Sequence, residues 1–373
     1  MRIERIEVFQ ADLPYAGGVY ELSGGRTYES FDATLVRVTA DDGTTGWGES
    51  TPFGPNYVAA HALGVRAGIA EMAPHLLGAD PRQTERINER MDSLLAGHPH
   101  AKTPIDVACW DLFGRSVGLP VSTLLGGSTG LRMPVISSIH VGDPDDMRAR
   151  VAAHRASGYR GHSVKVGASE AEGGPTLDAE RVAASLADAQ PGEYFIADAN
   201  GGMSVESALR FLQALPDGLD FVFEAPCATW AETVRLARRS SVPIVIDELA
   251  LSDAAIVQMV ADGVGDGVGL KVSKNGGLSA GRRHRDLSLA AGFTMSVQDT
   301  VGSALSFGAV VHLGQTVPER ALRCVLDVRD MVLTGVASID VSIVAGGVMA
   351  PTTPGLGVDV DVDALGDPVA VYA

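Results

Sequence analysis

Cysteine is scarce in this 373-residue chain: Cys109, Cys227 and Cys324 are an odd number at wide spacing, with no Cys-x-x-Cys. That fits a reduced, cytoplasmic setting better than a disulfide framework or a cysteine zinc site. Long apolar runs are missing as well, none approaching the roughly 18 residues that a membrane span needs. The start of the chain, Met1-Arg-Ile-Glu-Arg-Ile-Glu7, alternates charge with apolar residues and has no signal-peptide core. Basic residues are in deficit, 29 Lys and Arg against 46 Asp and Glu, for a formal charge of −17. Such a field repels phosphate backbones and anionic lipid heads, so neither nucleic acid nor a membrane is an expected partner. What is present is ordinary for a globular protein, 46% hydrophobic and 20% charged residues. The length suits two domains, or a large barrel with an appendage.

The first ~130 residues read as strands followed by helices. Arg2–Asp12, Thr34–Thr39 and Thr45–Glu49 show β-branched alternation, with Asp41-Asp42-Gly43 as the turn between the last two. Ala59–Leu77, Arg82–Leu95 and Lys102–Val117 carry apolar residues at helical spacing. Tyr20–Arg26 and Thr51–Tyr57 have loop compositions. From Met133 onward eight short apolar runs alternate with helical patterns: Pro134–Ile139, His162–Val166, Tyr194–Ala197, Phe221–Phe223, Ile244–Ile246, Val268–Val272, Thr294–Val297 and Ala321–Leu326. The helical segments are Leu177–Ala189, Val205–Leu215, Thr229–Arg239, Ala254–Ala261, Leu278–Ala291 and Ser303–Gly314. Repeated βα units over ~220 residues predict an α/β fold of the TIM-barrel kind. The division expected is a capping unit at 1–130, a barrel at 131–345, and a Gly-, Pro- and Asp-rich tail at 346–373 that returns to the capping unit.

In such a barrel the active site lies at the C-terminal ends of the strands. Five successive predicted strands end there in a charge: Lys165, Asp198, Glu224, Asp247 and Lys271. Any one acid reads equally well as a helix N-cap. Three acids on adjacent strands, flanked by lysines on the strands either side, point instead to a hard divalent cation, since burying them without a counter-ion costs several kcal/mol per ion. Mg²⁺ is the cofactor expected. A cation on a substrate carboxylate acidifies the α-hydrogen, and a lysine whose pKa is lowered by burial and a nearby cation can remove it. Lysines ending strands two and six stand across an eight-strand ring, one for each face of a substrate.

This constellation resembles the enolase superfamily, muconate-lactonising (mandelate racemase/muconate lactonizing enzyme) subgroup. So do Gly46-Trp-Gly-Glu49, Ile105-Asp-Val-Ala-Cys-Trp-Asp-Leu-Phe-Gly114, Leu124-Leu-Gly-Gly127 and Lys271-Val-Ser-Lys-Asn-Gly-Gly277. The resemblance implies a (β/α)7β barrel with an α+β cap completed by the tail, Asp198, Glu224 and Asp247 as Mg²⁺ ligands, and Lys165 with Lys271 as the acid/base pair. It also implies a small carboxylate substrate and self-association into a homo-oligomer. The subgroup often has Lys-x-Lys at the second strand; Ser163 replaces the first lysine here. Leu22-Ser-Gly-Gly-Arg26, Gly97-His-Pro-His-Ala-Lys-Thr-Pro104 and His162-Ser-Val-Lys165 are most similar to the cis-3-hydroxy-L-proline dehydratases, with hydroxyproline betaine epimerases as near relatives.

Tyr57 over the barrel mouth and Asp299 past the seventh strand are candidate substrate contacts, the second for an ammonium; each reads equally as structural. Asn200, two residues after Asp198, is an oxygen source or a turn residue. Ala321–Asp330 holds no aromatic residue to receive a quaternary ammonium. Other classes fit less well. His98-Pro-His100 falls between helices rather than at a strand end, three adjacent acids speak against a Schiff-base aldolase, and Gly263–Gly269 lacks G-x-G-x-x-G spacing.

Overall fold

Three antiparallel strands, Ile3–Pro14, Ser30–Ala40 and Thr45–Ser50, form the N-terminal sheet, and Ala370–Tyr372 from the far end of the chain pairs with the first of them. The structure is a computed structural model that describes residues 1–333 and 335–373. Helices Ala62–Leu76, Thr84–Leu94 and Pro99–Val117 cover one face of this sheet. The contact is closest at Gly46 and Gly48, where a Cβ would stand 2.2 Å from the Ala108 oxygen and 2.1 Å from the Pro104 oxygen. Glycine at both positions therefore lets strand and helix backbones touch, while Trp47 and Glu49 between and after them point the other way.

The barrel has eight parallel strands: Met133–Ile139, Gly161–Lys165, Tyr194–Asp198, Val222–Glu224, Ile244–Ile246, Gly267–Lys271, Thr294–Gln298 and Leu322–Leu326. Pairing of Val325 with Val135 and of Leu326 with Ile136 closes the ring. Helices Pro144–Ala156, Gly174–Leu186, Val205–Ala214, Trp230–Ala237, Asp253–Asp262, Leu278–Ala291 and Ala304–Gly314 make the seven crossovers, giving the (β/α)7β arrangement. Among the described residues no helix is long and apolar enough to cross a membrane.

Two local readings of the sequence need correction. Tyr20–Arg26 is not simply loop: Tyr20–Leu22 and Arg26–Tyr28 pair as a small hairpin, too short to display a period. Pro144–Ala156 is a helix that the apolar spacing misses, because only Met147 and Val151 are buried in it. The tail does more than return to the cap. Gly347–Val348 adds to the first barrel strand, and Val358–Val360 pairs with Ala337–Ile339.

Two aspartates on helix Pro99–Val117 fasten cap, barrel and tail. Asp106 accepts the Ser279 backbone N–H at 3.0 Å and the Ser279 hydroxyl at 2.6 Å, capping the barrel helix Leu278–Ala291 from another unit. Gly277 has φ +106°, and a Cβ there would lie 2.4 Å from the Asp106 carboxylate, so the approach requires glycine. Asp111 accepts N–H groups from Trp47 at 3.0 Å and Leu356 at 2.8 Å, joining the sheet to the tail. Apolar packing is continuous across the same interface, from Phe9 and Trp47 through Trp110 to Leu270 and Leu313.

Candidate active site

Register aligns the charged strand ends. Lys165 pairs with Asp198, and Asp198 with Glu224, as Cα partners across three adjacent strands. Asp247 follows Ile246 directly at the end of the fifth strand, and Lys271 ends the sixth beside Gln298 of the seventh. All five predicted residues are buried at the cap-facing end of the barrel. Lys165 donates to Asp198, and Lys271 donates to Asp247 and to the Tyr57 hydroxyl.

Glu224 lies between the two aspartates and, among the described residues, receives only the Gln298 amide at 3.2 Å. Burial, with the Asp198 and Asp247 charges, pushes its carboxyl well above the usual range. Burial opposes ionisation of Asp247 too, but the Lys271 and Lys274 ammonium groups outweigh it and hold that carboxyl below its usual range. The lysines depart from the expectation of a lowered pKa. Burial pulls Lys165 down, yet the Asp198 carboxylate raises it on balance, and Asp247 and its acidic neighbours do the same for Lys271. Ser163, at the site of the missing lysine, shares a cavity with both catalytic candidates; the cation that acts on Lys165 is Lys271.

That cavity holds about 30 Å³, room for about two waters. Its walls include Tyr20, Phe53 and Tyr57 from the cap and Leu326 and Met331 from the barrel. A second, open cavity of about 420 Å³ adjoins it, sharing Tyr57 and Asn200 and lined further by Arg26, Cys227, Asp247 and Glu248. Tyr57 thus lines both cavities, with its hydroxyl on Lys271. Asp299 also lines the small cavity, but its carboxylate is engaged by Ser273, by the Thr300 N–H at 2.8 Å and by the Ser306 hydroxyl at 3.1 Å, which favours the structural reading.

Two further residues, Lys274 and Glu248, are not singled out by the sequence pattern, and the structure gives Asn200 a third role besides oxygen source and turn residue. Lys274 buries its ammonium on Asp247, and its signal was a second lysine one helical turn after Lys271. Glu248 accepts from Asn200 at 2.9 Å and, among the described residues, leaves Oε2 without a partner. Asn200 adopts φ +44° and returns its side chain onto Asp198 at 3.0 Å.

Among the described residues no three His, Cys, Asp or Glu side chains stand in ready-made metal geometry, and ammonium groups hold Asp198 and Asp247. The donor set is nevertheless all carboxylate, with Glu224 carrying no ammonium partner of its own, and hard oxygen donors of this kind suit Mg²⁺.

Residues 24–126 match the mandelate racemase/muconate lactonizing enzyme N-terminal domain, and residues 146–364 match the enolase C-terminal domain-like family. The chain belongs to the mandelate racemase/muconate lactonizing enzyme family. It is an enzyme of the enolase superfamily, whose members related to it include dehydratases, racemases and cycloisomerases. Within the family it is 37% identical over 100% of both chains to a cis-3-hydroxy-L-proline dehydratase of Roseibium aggregatum. It is 31% identical to muconate cycloisomerase 1 of Pseudomonas putida, covering 84% of this chain and 85% of that one. A crystal structure of a mandelate racemase/muconate lactonizing-type protein of Roseovarius nubinhibens, complexed with magnesium, superposes with TM-score 0.99 at 53% identity over 100% of both chains.

Proposed function

We propose that this enzyme removes the proton α to a substrate carboxylate with the aid of Mg²⁺ and dehydrates cis-3-hydroxy-L-proline to Δ1-pyrroline-2-carboxylate. The observation that carries the reading is the pair Lys165 and Lys271, reaching one small cavity from the second and sixth strands of the ring. Asp198, Glu224 and Asp247 would hold the cation. Bound there, it would neutralise these acids, releasing the lysines from their ion pairs, and stabilise negative charge growing on the substrate carboxylate.

The chain's own residues supply the rest. A lysine facing the α-hydrogen takes it as a neutral amine, while the opposite lysine, as ammonium, protonates the leaving hydroxyl. In the cis isomer hydrogen and hydroxyl lie on opposite ring faces, which suits one lysine per face. The product enamine then tautomerises to the imine. Tyr20, Phe53 and Tyr57 close the cavity on the cap side and keep water from the carbanionic species. Full-length similarity to the Roseibium dehydratase supports the substrate, and three buried unpaired cysteines support a cytoplasmic setting.

Epimerisation is the second reading, since the opposed lysine could return a proton to carbon. Three aromatic cavity walls favour it for a quaternary or tertiary ammonium substrate; they come from the cap, whereas the sequence reading looked for them at the eighth strand. Incubation with Mg²⁺ and a panel of proline derivatives in D₂O, followed by NMR, tests both. Elimination from cis-3-hydroxy-L-proline supports the first, and α-epimerisation without elimination moves the assignment to the second.

A further inference from the structure

We propose that Arg26 is a positioning residue, which through Asn200 couples closure of the cap over the barrel mouth to the orientation of the Asp198 carboxylate. This rests on the reading of Asp198 as a metal ligand. The local sequence explains where Arg26 points. Gly24 and Gly25 are both left-handed, at φ +74° and +69°, and fold the chain back so that Arg26 Nε donates to the Ser23 oxygen at 2.9 Å. Its remaining nitrogens donate to the Asn56 oxygen at 3.3 Å and the Asn200 oxygen at 3.4 Å. The three acceptors belong to three segments: the hairpin, the loop that carries Tyr57, and the turn after the third barrel strand. A guanidinium is a rigid fork, so all three bonds form only when these segments lie together.

Asn200 carries the connection inward. Its left-handed backbone places its own N–H 2.9 Å from Asp198 Oδ1 and its side-chain amide nitrogen 3.0 Å from Asp198 Oδ2. The same nitrogen donates to Glu248 at 2.9 Å, and the amide oxygen accepts from the Ser23 hydroxyl at 3.3 Å. Rotating this amide by half a turn would set its oxygen against two carboxylates, so its orientation is fixed. Asp198 therefore has both oxygens held by a residue that the cap itself grips twice, through Arg26 and through Ser23. Lifting the hairpin removes both grips, and the carboxylate is then free to follow Lys165. Closure and assembly of the ligand set become one event, which confines the reactive arrangement to the closed site.

Calorimetric titration of the metal-stripped full-length protein with MgCl₂ alone tests this, with folding followed by circular dichroism. Arg26→Ala and Asn200→Gly, the latter keeping the left-handed turn and the backbone oxygen, are each expected to weaken Mg²⁺ binding about tenfold. The double variant should lose less than the product of the two single losses, because Arg26 grips the backbone oxygen of the same residue whose side chain holds Asp198. Arg26→Lys, able to reach a single carbonyl, should recover part of the loss. Unchanged Mg²⁺ affinity in Arg26→Ala, or losses that multiply in the double variant, would overturn the proposal and reduce Arg26 to a clasp on the hairpin. Asp198→Asn separates the two levels. Binding that survives this change removes the metal-ligand reading itself, whereas binding lost there but untouched by Arg26→Ala removes only the coupling.

Discussion

Lys274 donates to Asp247 Oδ1 at 2.7 Å, to the Asp247 backbone oxygen at 2.5 Å and to the Gly269 oxygen at 3.0 Å. All three ammonium hydrogens are thereby engaged on one carboxylate and its surroundings. Lys271 takes the other oxygen of the same acid. One lysine thus fixes Asp247 and leaves its neighbour able to exchange that contact for a substrate atom. Replacing Lys274 by Met should leave a buried acid half-compensated, at a cost of about 3–5 kcal/mol in unfolding free energy. Denaturant titration checks this, and an unchanged midpoint would show that Asp247 does not depend on Lys274.

Lys165→Ala and Lys271→Ala should each lower turnover by at least ~10²–10⁴-fold while the fold persists. Their separate roles can be read from hydrogen exchange. The variant lacking the base should stop exchanging the substrate α-proton in D₂O, and the variant lacking the acid should still exchange it without eliminating hydroxide. Full turnover in either variant refutes the two-lysine arrangement.

The charged strand ends were legible because a parallel barrel turns sequence position into place: the last residue of each strand faces the mouth. Register then places Lys165, Asp198 and Glu224 side by side as Cα partners. Asn200 was harder to read, since its role depends on a left-handed backbone and on a hairpin contact 177 positions away at Ser23. Asp106 and Asp111 stood in a quoted motif, but their partners Ser279 and Leu356 come from distant segments, which no local period encodes. The raised lysines have a similar origin, in carboxylates that only the closed ring brings beside them.

Asp106→Ala tests the fastening of cap to barrel. It removes the acceptor for the Ser279 N–H and hydroxyl and for Asn88, leaving buried donors unpaired at about 1–3 kcal/mol for each one left unsatisfied. The unfolding midpoint should fall. Because Asp106 touches none of the active-site residues directly, residual turnover of the folded fraction should stay near that of the parent. A midpoint that does not move would mean that the apolar interface alone holds the units together.

His312 gives a pH-dependent stability that can be isolated. Its Nδ1 lies 3.1 Å from the Ser122 N–H and its Nε2 lies 3.1 Å from the Leu356 oxygen, an arrangement that uses the neutral ring, and burial pulls its pKa down to about 4. The folded value lies below the unfolded one of about 6.5, so this stability is present above pH 6.5 and is lost as pH falls toward 4. Buried acids with raised pKa values, such as Glu49 and Asp106, act in the opposite sense. A difference measurement removes them. The stability advantage of the parent over His312→Gln should shrink by about 1–2 kcal/mol between pH 7 and pH 5, and a constant difference would show that the ring is not held neutral.

Stereochemistry is the sharpest test of the substrate. With one lysine on each face, elimination from cis-3-hydroxy-L-proline takes the α-hydrogen from one side and protonates the hydroxyl from the other. Hydroxide is a poor leaving group unless protonated, so one lysine must be neutral while the other is charged, and the acids around the cavity must drive their pKa values apart. Turnover should therefore follow a bell-shaped pH profile, falling on the acid side as the base is protonated and on the alkaline side as the acid loses its proton. The trans-3-hydroxy isomer presents hydrogen and hydroxyl on the same face, where a single lysine would have to serve both. It should exchange its α-proton in D₂O and eliminate far more slowly than cis, as NMR of the two reactions side by side would reveal. Equal elimination rates for the two isomers would mean that the opposed lysines do not divide the reaction between them.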